Sequence, residues 1–80
     1  EIIEGLYLLE IEVPNIFVGK KIKDLDLRKK YGVDVILIKE AKEKGEKLLK
    51  RIPGADYRFR AEDNLLILGE RKAVQTMRNM

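Results

Sequence analysis

The 80-residue chain contains no cysteine, no histidine and no serine, and Thr76 is its single threonine. Without cysteine there can be no disulfides or thiolate zinc sites, and without histidine the side chain that most often serves as a general acid or base is missing. The common hydroxyl and thiol nucleophiles are absent as well, which leaves carboxylates, lysine, arginine and tyrosine to carry chemistry. We therefore expect a domain that is not an enzyme, with no catalytic and no metal-binding residues.

Long apolar runs are also absent. No stretch approaches the roughly 20 residues of a transmembrane helix, and the start Glu1-Ile2-Ile3-Glu4 lacks the basic region of a signal peptide. Charged residues make up 39% of the chain and hydrophobic ones 45%, as in a soluble globular domain. The abundance of lysine, arginine and glutamate beside a single glutamine, Gln75, resembles the composition of proteins from hot habitats.

Chain length sets a limit on stability. Eighty residues form one domain with one small core, which buries roughly 60% of the surface that the unfolded chain exposes. Such a core gives only marginal stability to a monomer, so self-association is expected. The first residue is Glu1 rather than methionine, and we expect residues 1–80 to be a single domain from the C-terminal part of a longer polypeptide.

The first half of the chain predicts two strands around a helical stretch. Residues 6–13 alternate between apolar and mixed positions, as in a half-buried strand that ends at Pro14. A short helical stretch follows from Ile22, with Asp24 as its N-cap and Gly32 at its C-cap. Residues 33–38 are apolar apart from Asp34, which predicts a strand covered on both faces.

The second half predicts short strands and a final helix. Residues 40–47 are interpreted as a solvated turn, residues 47–52, 56–60 and 65–68 as strands, and 61–64 as a hairpin turn. Residues 70–80 have the period of an amphipathic helix, whose predicted inward-facing residues are Ala73, Val74, Met77 and Met80. The order of elements predicts an α+β fold with a small mixed β-sheet of four to five strands and two helices.

Basic residues raise one alternative function. The net charge is +3, and the densest basic cluster comprises Lys20, Lys21, Lys23, Arg28, Lys29 and Lys30. The 14 acidic residues are interspersed with the basic ones, so a solvated basic face is the preferred interpretation and no nucleic acid is expected as a partner. A small basic nucleic-acid-binding module stays open as an alternative.

The ordered set of motifs resembles the TrkA-C domain, the C-terminal half of the RCK module (regulator of potassium conductance). Three runs carry the resemblance, Leu9-Glu10-Ile11-Glu12-Val13-Pro14-Asn15, Val18-Gly19-Lys20-Lys21-Ile22-Lys23-Asp24-Leu25-Asp26-Leu27-Arg28 and Tyr31-Gly32-Val33-Asp34-Val35-Ile36-Leu37-Ile38-Lys39. Pro53, Asp63 and Gly69 continue the family pattern, which thus extends over almost the whole chain.

This resemblance implies a regulatory domain. Family members form homodimers and ring oligomers, follow a Rossmann-like N-terminal domain, and regulate a membrane potassium channel or transporter subunit. The implied function is therefore a cytoplasmic, ligand-sensing and dimerising domain for potassium uptake or channel gating, held at the inner face of the cell membrane by its membrane partner. A TrkA-C domain that controls another transporter or a transcription regulator is the alternative within the family.

The resemblance also implies where a ligand would bind. The positions that line a pocket across the dimer seam in relatives correspond here to Ile38, Lys39, Arg51, Ile52 and Pro53. Two-fold symmetry would double the two cations and favour a nucleotide-like anionic ligand. The chain departs from the pattern at Lys39, where relatives often have arginine, and at Glu62, where they usually have glycine. It also lacks the asparagine or histidine found near the proline in relatives that bind a dinucleotide.

Overall fold

The structure, a computed structural model, describes residues 3–40 and 49–80. In these ranges the chain forms four strands, three α-helices and one short 3-10 helix. The strands are β1 (Leu6–Glu12), β2 (Val33–Glu40), β3 (Leu49–Arg51) and β4 (Asn64–Glu70), and the helices are α1 (Ile22–Leu25), α2 (Leu27–Tyr31) and α3 (Arg71–Arg78), with the 3-10 helix at Asn15–Phe17.

The four strands form one sheet in the order β1-β4-β2-β3, and every pair in it is antiparallel. The predicted α+β class is confirmed, but the sheet is not mixed. The reason is that β4, the last strand of the chain, lies between β1 and β2 and pairs with both. The helical connection makes β1 and β2 run in the same direction, yet they never become neighbours, so no parallel pair forms.

A β-bulge changes the direction of the side chains along β2. Val33 and Val35 pair with Gly69 and Ile67, whereas the pairing beyond the irregularity joins Leu37 to Leu66 and Ile38 to Leu65. Ile36 is the extra residue, so the odd-numbered side chains face the core before the bulge and the even-numbered ones face it afterwards. Ile38 and Glu40 are consequently buried.

The core lies on one face of the sheet, under the helices. Its aromatic centre is Phe17, which stacks on Phe59 at 5.9 Å between ring centroids and meets the edge of Tyr31 at 5.3 Å. Val74 and Met77 of α3 pack against β1 and β4, as the helical period predicts, but Met80 is 46% exposed and does not face inward. The buried apolar residues are Ile11, Val13, Phe17, Leu25, Leu27, Val33, Ile38, Phe59, Leu65, Ile67, Val74 and Met77.

The predicted single helical stretch is two short helices. Asp26 adopts the left-handed conformation, with φ 50° and ψ 53°, and ends α1 before α2 begins. This break brings the total to three α-helices rather than two among the described residues. Asp24 is inside α1 rather than at its N-cap, which is Lys21 and makes no side-chain cap bond. Gly32 ends α2 in the left-handed region, as predicted, and donates its N–H to the carbonyl of Arg28.

Two segments of the second half differ from the prediction. Residues 56–60 do not form a strand, because their neighbour is the irregular segment around Gly19 and Lys20, with which Phe59 exchanges two backbone hydrogen bonds. The predicted solvated turn at 40–47 begins with a residue that is buried at the end of β2, Glu40. The rest of that turn lies outside the described residues, as do residues 47 and 48 of the strand predicted at 47–52, for which the structure has Leu49–Arg51.

The opposite face of the sheet carries no helix among the described elements. The register places five leucines on it, Leu6, Leu8, Leu37, Leu66 and Leu68. This group, the outer leucine face, explains why residues 33–38 look apolar on both sides in the sequence. None of the helices in residues 3–40 and 49–80 combines the length and the apolar character that are needed to cross a bilayer.

Candidate functional site

The five residues that the resemblance assigns to ligand binding cluster at the ends of β2 and β3. Ile38 and Arg51 are direct partners in the β2–β3 pairing, and Lys39 pairs with Lys50 beside them. Ile52 and Pro53 continue the chain from β3. The fold thus brings the five backbone positions together at one end of the sheet.

Their side chains point in different directions. Lys39 shares the outer leucine face, whereas Arg51 pairs with Ile38 and lies on the opposite face of the sheet. Ile38 is fully buried in the core, and Ile52 is 84% exposed. Within one chain, therefore, the two cations do not face a common cleft. Arg51 and Ile52 are exposed and Pro53 is partly buried, so solvent reaches these three members of the set.

Each of the two cations is held by a carboxylate. Lys39 Nζ lies 2.6 Å from Oε1 of Glu10, and Arg51 Nη2 lies 3.2 Å from Oε2 of Glu40. The side chain of Glu40 is only 9% exposed, against 48% for that of Arg51. An anion that binds either cation must compete with its carboxylate or share the cation with it.

Arg51 borders a hollow of about 390 Å³. Its guanidinium also lies over the ring of Tyr57, with Cζ 5.7 Å from the centroid. The hollow is lined by Glu40, Arg51, Asp56, Tyr57, Arg58, Phe59 and Arg60. Three arginines against two carboxylates, beside the ring of Tyr57, favour anionic ligands with flat parts.

Behind Arg51, two carboxylates meet at one hydroxyl group. Tyr57 Oη lies 2.7 Å from Oδ2 of Asp63 and 3.2 Å from Oε1 of Glu40. Asp63 is 1% exposed, and its Oδ2 also accepts the backbone N–H of Arg60 at 2.9 Å. Burial, followed by the hydrogen bond to Asp63, raises the pKa of Tyr57 well above the ordinary value for a phenol. We refer to Glu40, Tyr57 and Asp63 as the carboxylate–tyrosine trio.

Sequence reasoning missed this trio. Glu40 was predicted to lie in a solvated turn, Tyr57 in a strand and Asp63 in a hairpin turn, so no pattern joined them. The signals present were individually ordinary, since an acidic residue beside a turn needs no further explanation. Their convergence depends on the bulge in β2 and on the irregular path of residues 56–60.

A groove of about 680 Å³ runs along the other side of Pro53. β3 pairs with β2 only from Ile38 to Glu40, so the edge of β2 between Val33 and Leu37 has no strand beside it in the described part of the chain. The groove follows this edge and is lined by Ile22, Lys23, Asp26, Leu27, Arg28, Val33, Asp34, Val35, Ile36, Pro53, Gly54 and Ala55. We call this feature the β2-edge groove.

Two of the six residues of the basic cluster, Lys23 and Arg28, form ion pairs. Lys23 Nζ lies 2.9 Å from Asp56, and the guanidinium of Arg28 forms two hydrogen bonds with the carboxylate of Asp34, of 2.9 and 3.2 Å. This contact raises the pKa of Arg28. The described residues hold no group of three or more carboxylates that could bind a metal ion.

Comparison with known proteins identifies the family. The family model of the TrkA-C domain matches residues 6–80. The chain belongs to the TrkA-C domain family. No curated protein matches the chain significantly.

Solved structures share the TrkA-C fold. The RCK domain of GsuK has 23% sequence identity and a TM-score of 0.74 over 91% of this chain, which spans only 15% of the GsuK chain. The RCK C domain of the potassium transport protein KtrA, in complex with cyclic diadenosine monophosphate, has 23% identity and a TM-score of 0.70, covering 92% of this chain and 81% of that one. The GsuK channel bound to NAD has 22% identity and a TM-score of 0.73, over 91% of this chain and 13% of that one.

Proposed function

We propose that this TrkA-C domain is a cytoplasmic, ligand-sensing and dimerising domain that regulates potassium uptake or the gating of a potassium channel. The observation that carries the proposal is the family match over residues 6–80, together with the likeness to RCK domains of a potassium transport protein and a channel. In this proposal residues 1–80 follow a Rossmann-like domain in a longer chain, which assembles into a dimer or ring at the inner face of the membrane on a potassium channel or transporter subunit.

The β2-edge groove supports dimerisation. An open strand edge presents unpaired backbone N–H and C=O groups, which another strand can satisfy. Antiparallel pairing of β2 with β2 of a second copy has two-fold symmetry and would place Ile36, which is 39% exposed, and Ile52 at the seam. This seam would also bring Arg51 and Pro53 of both chains to one region. The family resemblance implies that the ligand binds in this region.

Light scattering tests the dimer. A particle of twice 9.3 kDa is expected at micromolar concentration, and the substitution Ile36→Lys should give a monomer, because it puts a charge at the seam. Leu8→Lys is the matched control, since Leu8 is 42% exposed but lies on the outer leucine face. A monomeric wild type would contradict the proposed dimer, and loss of the dimer in Leu8→Lys alone would move the seam to the outer face.

The ligand is proposed to be an anion with nucleotide character. Relatives of the same fold are described in complex with cyclic diadenosine monophosphate and with NAD, and Arg51 and Lys39 offer cations that a phosphate can bind. A ligand that prefers one dimer geometry shifts the assembly between its conducting and closed states, by no more than the difference between its affinities for the two.

Thermal unfolding in the presence of either compound tests ligand binding. A ligand at about 100 times its Kd stabilises the native state by about 2.7 kcal/mol, which raises the Tm of a domain this small by roughly 10 °C or more. The double substitution of Lys39 and Arg51 by alanine should remove most of this shift. Lys29→Ala with Lys30→Ala removes equal charge from the exposed side of α2 and should retain it. Equal shifts in the two variants would contradict the site.

A further inference from the structure

Arg51 lies between solvent and the buried carboxylate of Glu40, which cannot move outward with it. Its side chain is 48% exposed and can turn toward a ligand, whereas the side chain of Glu40 is 9% exposed and belongs to the end of β2. If an anion draws the guanidinium away, Glu40 remains where it is. The effect on Glu40 then depends on its other contacts.

The hydroxyl of Tyr57 cannot compensate Glu40 for the loss of the Arg51 guanidinium. A tyrosine hydroxyl donates one proton, and the shorter contact, 2.7 Å, directs it to Asp63, while Oε1 of Glu40 is at 3.2 Å. Asp63 Oδ2 also accepts the N–H of Arg60. The phenol keeps its own proton, because the pKa of Tyr57 is raised. An ionised Glu40 therefore faces the lone pairs of the tyrosine oxygen, and a protonated Glu40 would donate a hydrogen bond to it.

No other cation in the described residues forms an ion pair with Glu40. Lys39 points to the opposite face and pairs with Glu10. Lys50 pairs with Lys39 in the register and is exposed. Across the hollow, the guanidinium of Arg58 donates to the carbonyl of Gly19. The remaining charged groups at the hollow are Asp56 and Arg60. The two buried carboxylates thus contact one hydroxyl group, and the guanidinium of Arg51 pairs with Glu40 alone.

We propose that Glu40 competes with the anionic ligand for Arg51, and that ligand binding is coupled to the uptake of one proton by the carboxylate–tyrosine trio. This inference rests on the proposed function, because it requires Arg51 to bind the ligand. A buried carboxylate that loses its cation is costly and is neutralised instead. The proton comes from solvent and binds Oε1 of Glu40, which then donates to Tyr57 Oη while Tyr57 donates to Asp63. Glu40 is thus a positioning residue that makes the site sensitive to pH.

The sign of the coupling follows from linkage. If binding takes up a proton, affinity increases as pH falls, by up to tenfold in Kd for each pH unit when one full proton is involved. The phosphodiesters of cyclic diadenosine monophosphate do not titrate near neutral pH. This compound is therefore a suitable probe, because its own charge does not change.

Isothermal titration calorimetry of the whole chain with cyclic diadenosine monophosphate tests the proposal. In two buffers of different ionisation enthalpy, the wild type is expected to take up close to one proton per site. Glu40→Gln, whose amide can donate to Tyr57 Oη, should bind more tightly, with no proton uptake and no dependence on pH. Glu10→Gln is the matched control, because it frees Lys39 at an exposed position, and it should retain the proton uptake of the wild type.

The outcomes separate the two proposals. If the probe binds and Arg51→Ala weakens it, but proton uptake is absent or persists in Glu40→Gln, the coupling is wrong and the site stands. If the probe does not bind the wild type, both are wrong for this ligand class.

Discussion

Lys39 reaches across the central strand β4 to Glu10, with its Nζ 2.6 Å from Oε1 of the carboxylate. The two residues belong to β2 and β1, which are not neighbours in the sheet, and their register partners on β4 are Asn64 and Leu66. The contact therefore joins the two strands over the outer leucine face. Because both side chains are partly exposed, at 26% and 46%, its contribution is expected to be small.

A double-mutant cycle measures this contribution. Lys39→Met and Glu10→Gln, alone and together, should give a coupling free energy of about 0.2–1 kcal/mol in urea unfolding at low salt. The coupling should decrease in 1 M salt, where the Debye length falls to about 3 Å. A coupling above about 2 kcal/mol that is independent of salt would contradict this assignment of a screened surface pair.

Gly69 is required where β4 passes the end of α2. A Cβ placed on it would lie 2.8 Å from the carbonyl oxygen of Gly32 and 3.0 Å from Cγ1 of Val33, so the backbone of the neighbouring strand would have to move. Gly69→Ala is expected to lower the free energy of unfolding by about 1–3 kcal/mol. Gly54→Ala is the control, since nothing lies within 4 Å of its Cβ position. Equal losses in the two variants would contradict the steric explanation.

Phe17 holds the loop after β1 in the core. Its side chain is fully buried against Phe59 and Tyr31. Phe17→Ala should cost about 3–5 kcal/mol, which is most of the stability of a domain of this size. Ile16→Ala, at a neighbouring position that is 55% exposed, should change stability by no more than about 0.5 kcal/mol. Urea denaturation followed by circular dichroism compares the two, and a loss below about 1 kcal/mol for Phe17→Ala would be contrary to the packing.

The raised pKa of Tyr57 predicts that the domain loses stability at alkaline pH. This pKa is raised in the folded chain, so the contribution of the protonated phenol is fully present below the unfolded value near 10 and is lost as pH rises above it. Tyr57→Phe should reduce stability at neutral pH by about 1–3 kcal/mol, because buried Asp63 loses a donor, but should show a smaller further decrease above pH ~10. Unfolding at a series of pH values compares this variant with Tyr31→Phe. The same alkaline decrease in Tyr57→Phe and in the wild type would disprove this role.

Periodic patterns predicted the regular elements well. The alternation of residues 6–13 corresponds to β1, the helical period of residues 70–80 to α3, and Gly32 to the end of α2. Each of these elements buries one face, so its apolar residues recur with the period of a strand, two, or of a helix, 3.6. This period can be seen in the sequence itself. The pairing of β4 between β1 and β2 is a nonlocal outcome that no local period contains, and for this reason the sheet was predicted as mixed.

The candidate site was predicted only in part. Family resemblance located the ends of β2 and β3, and these positions are adjacent in the sheet. It did not predict that Lys39 and Arg51 lie on opposite faces, because this depends on the β2–β3 register, in which Arg51 pairs with Ile38 and Lys39 pairs with Lys50. Nor did it identify Glu40, which meets Tyr57 across 17 positions of sequence.

The bulge in β2 determines which face of the sheet each later side chain occupies. It shifts the alternation of side chains by one residue. Every residue after Ile36 therefore points to the face on which its neighbour would lie in a strand without the bulge. In a strand of the same residues without the bulge, Lys39 would face the core and Ile38 and Glu40 the outer leucine face. Deletion of Ile36 would instead remove the extra residue and leave these three side chains on their present faces. The bulge thus places Glu40 on the face of the sheet where it can hold Arg51.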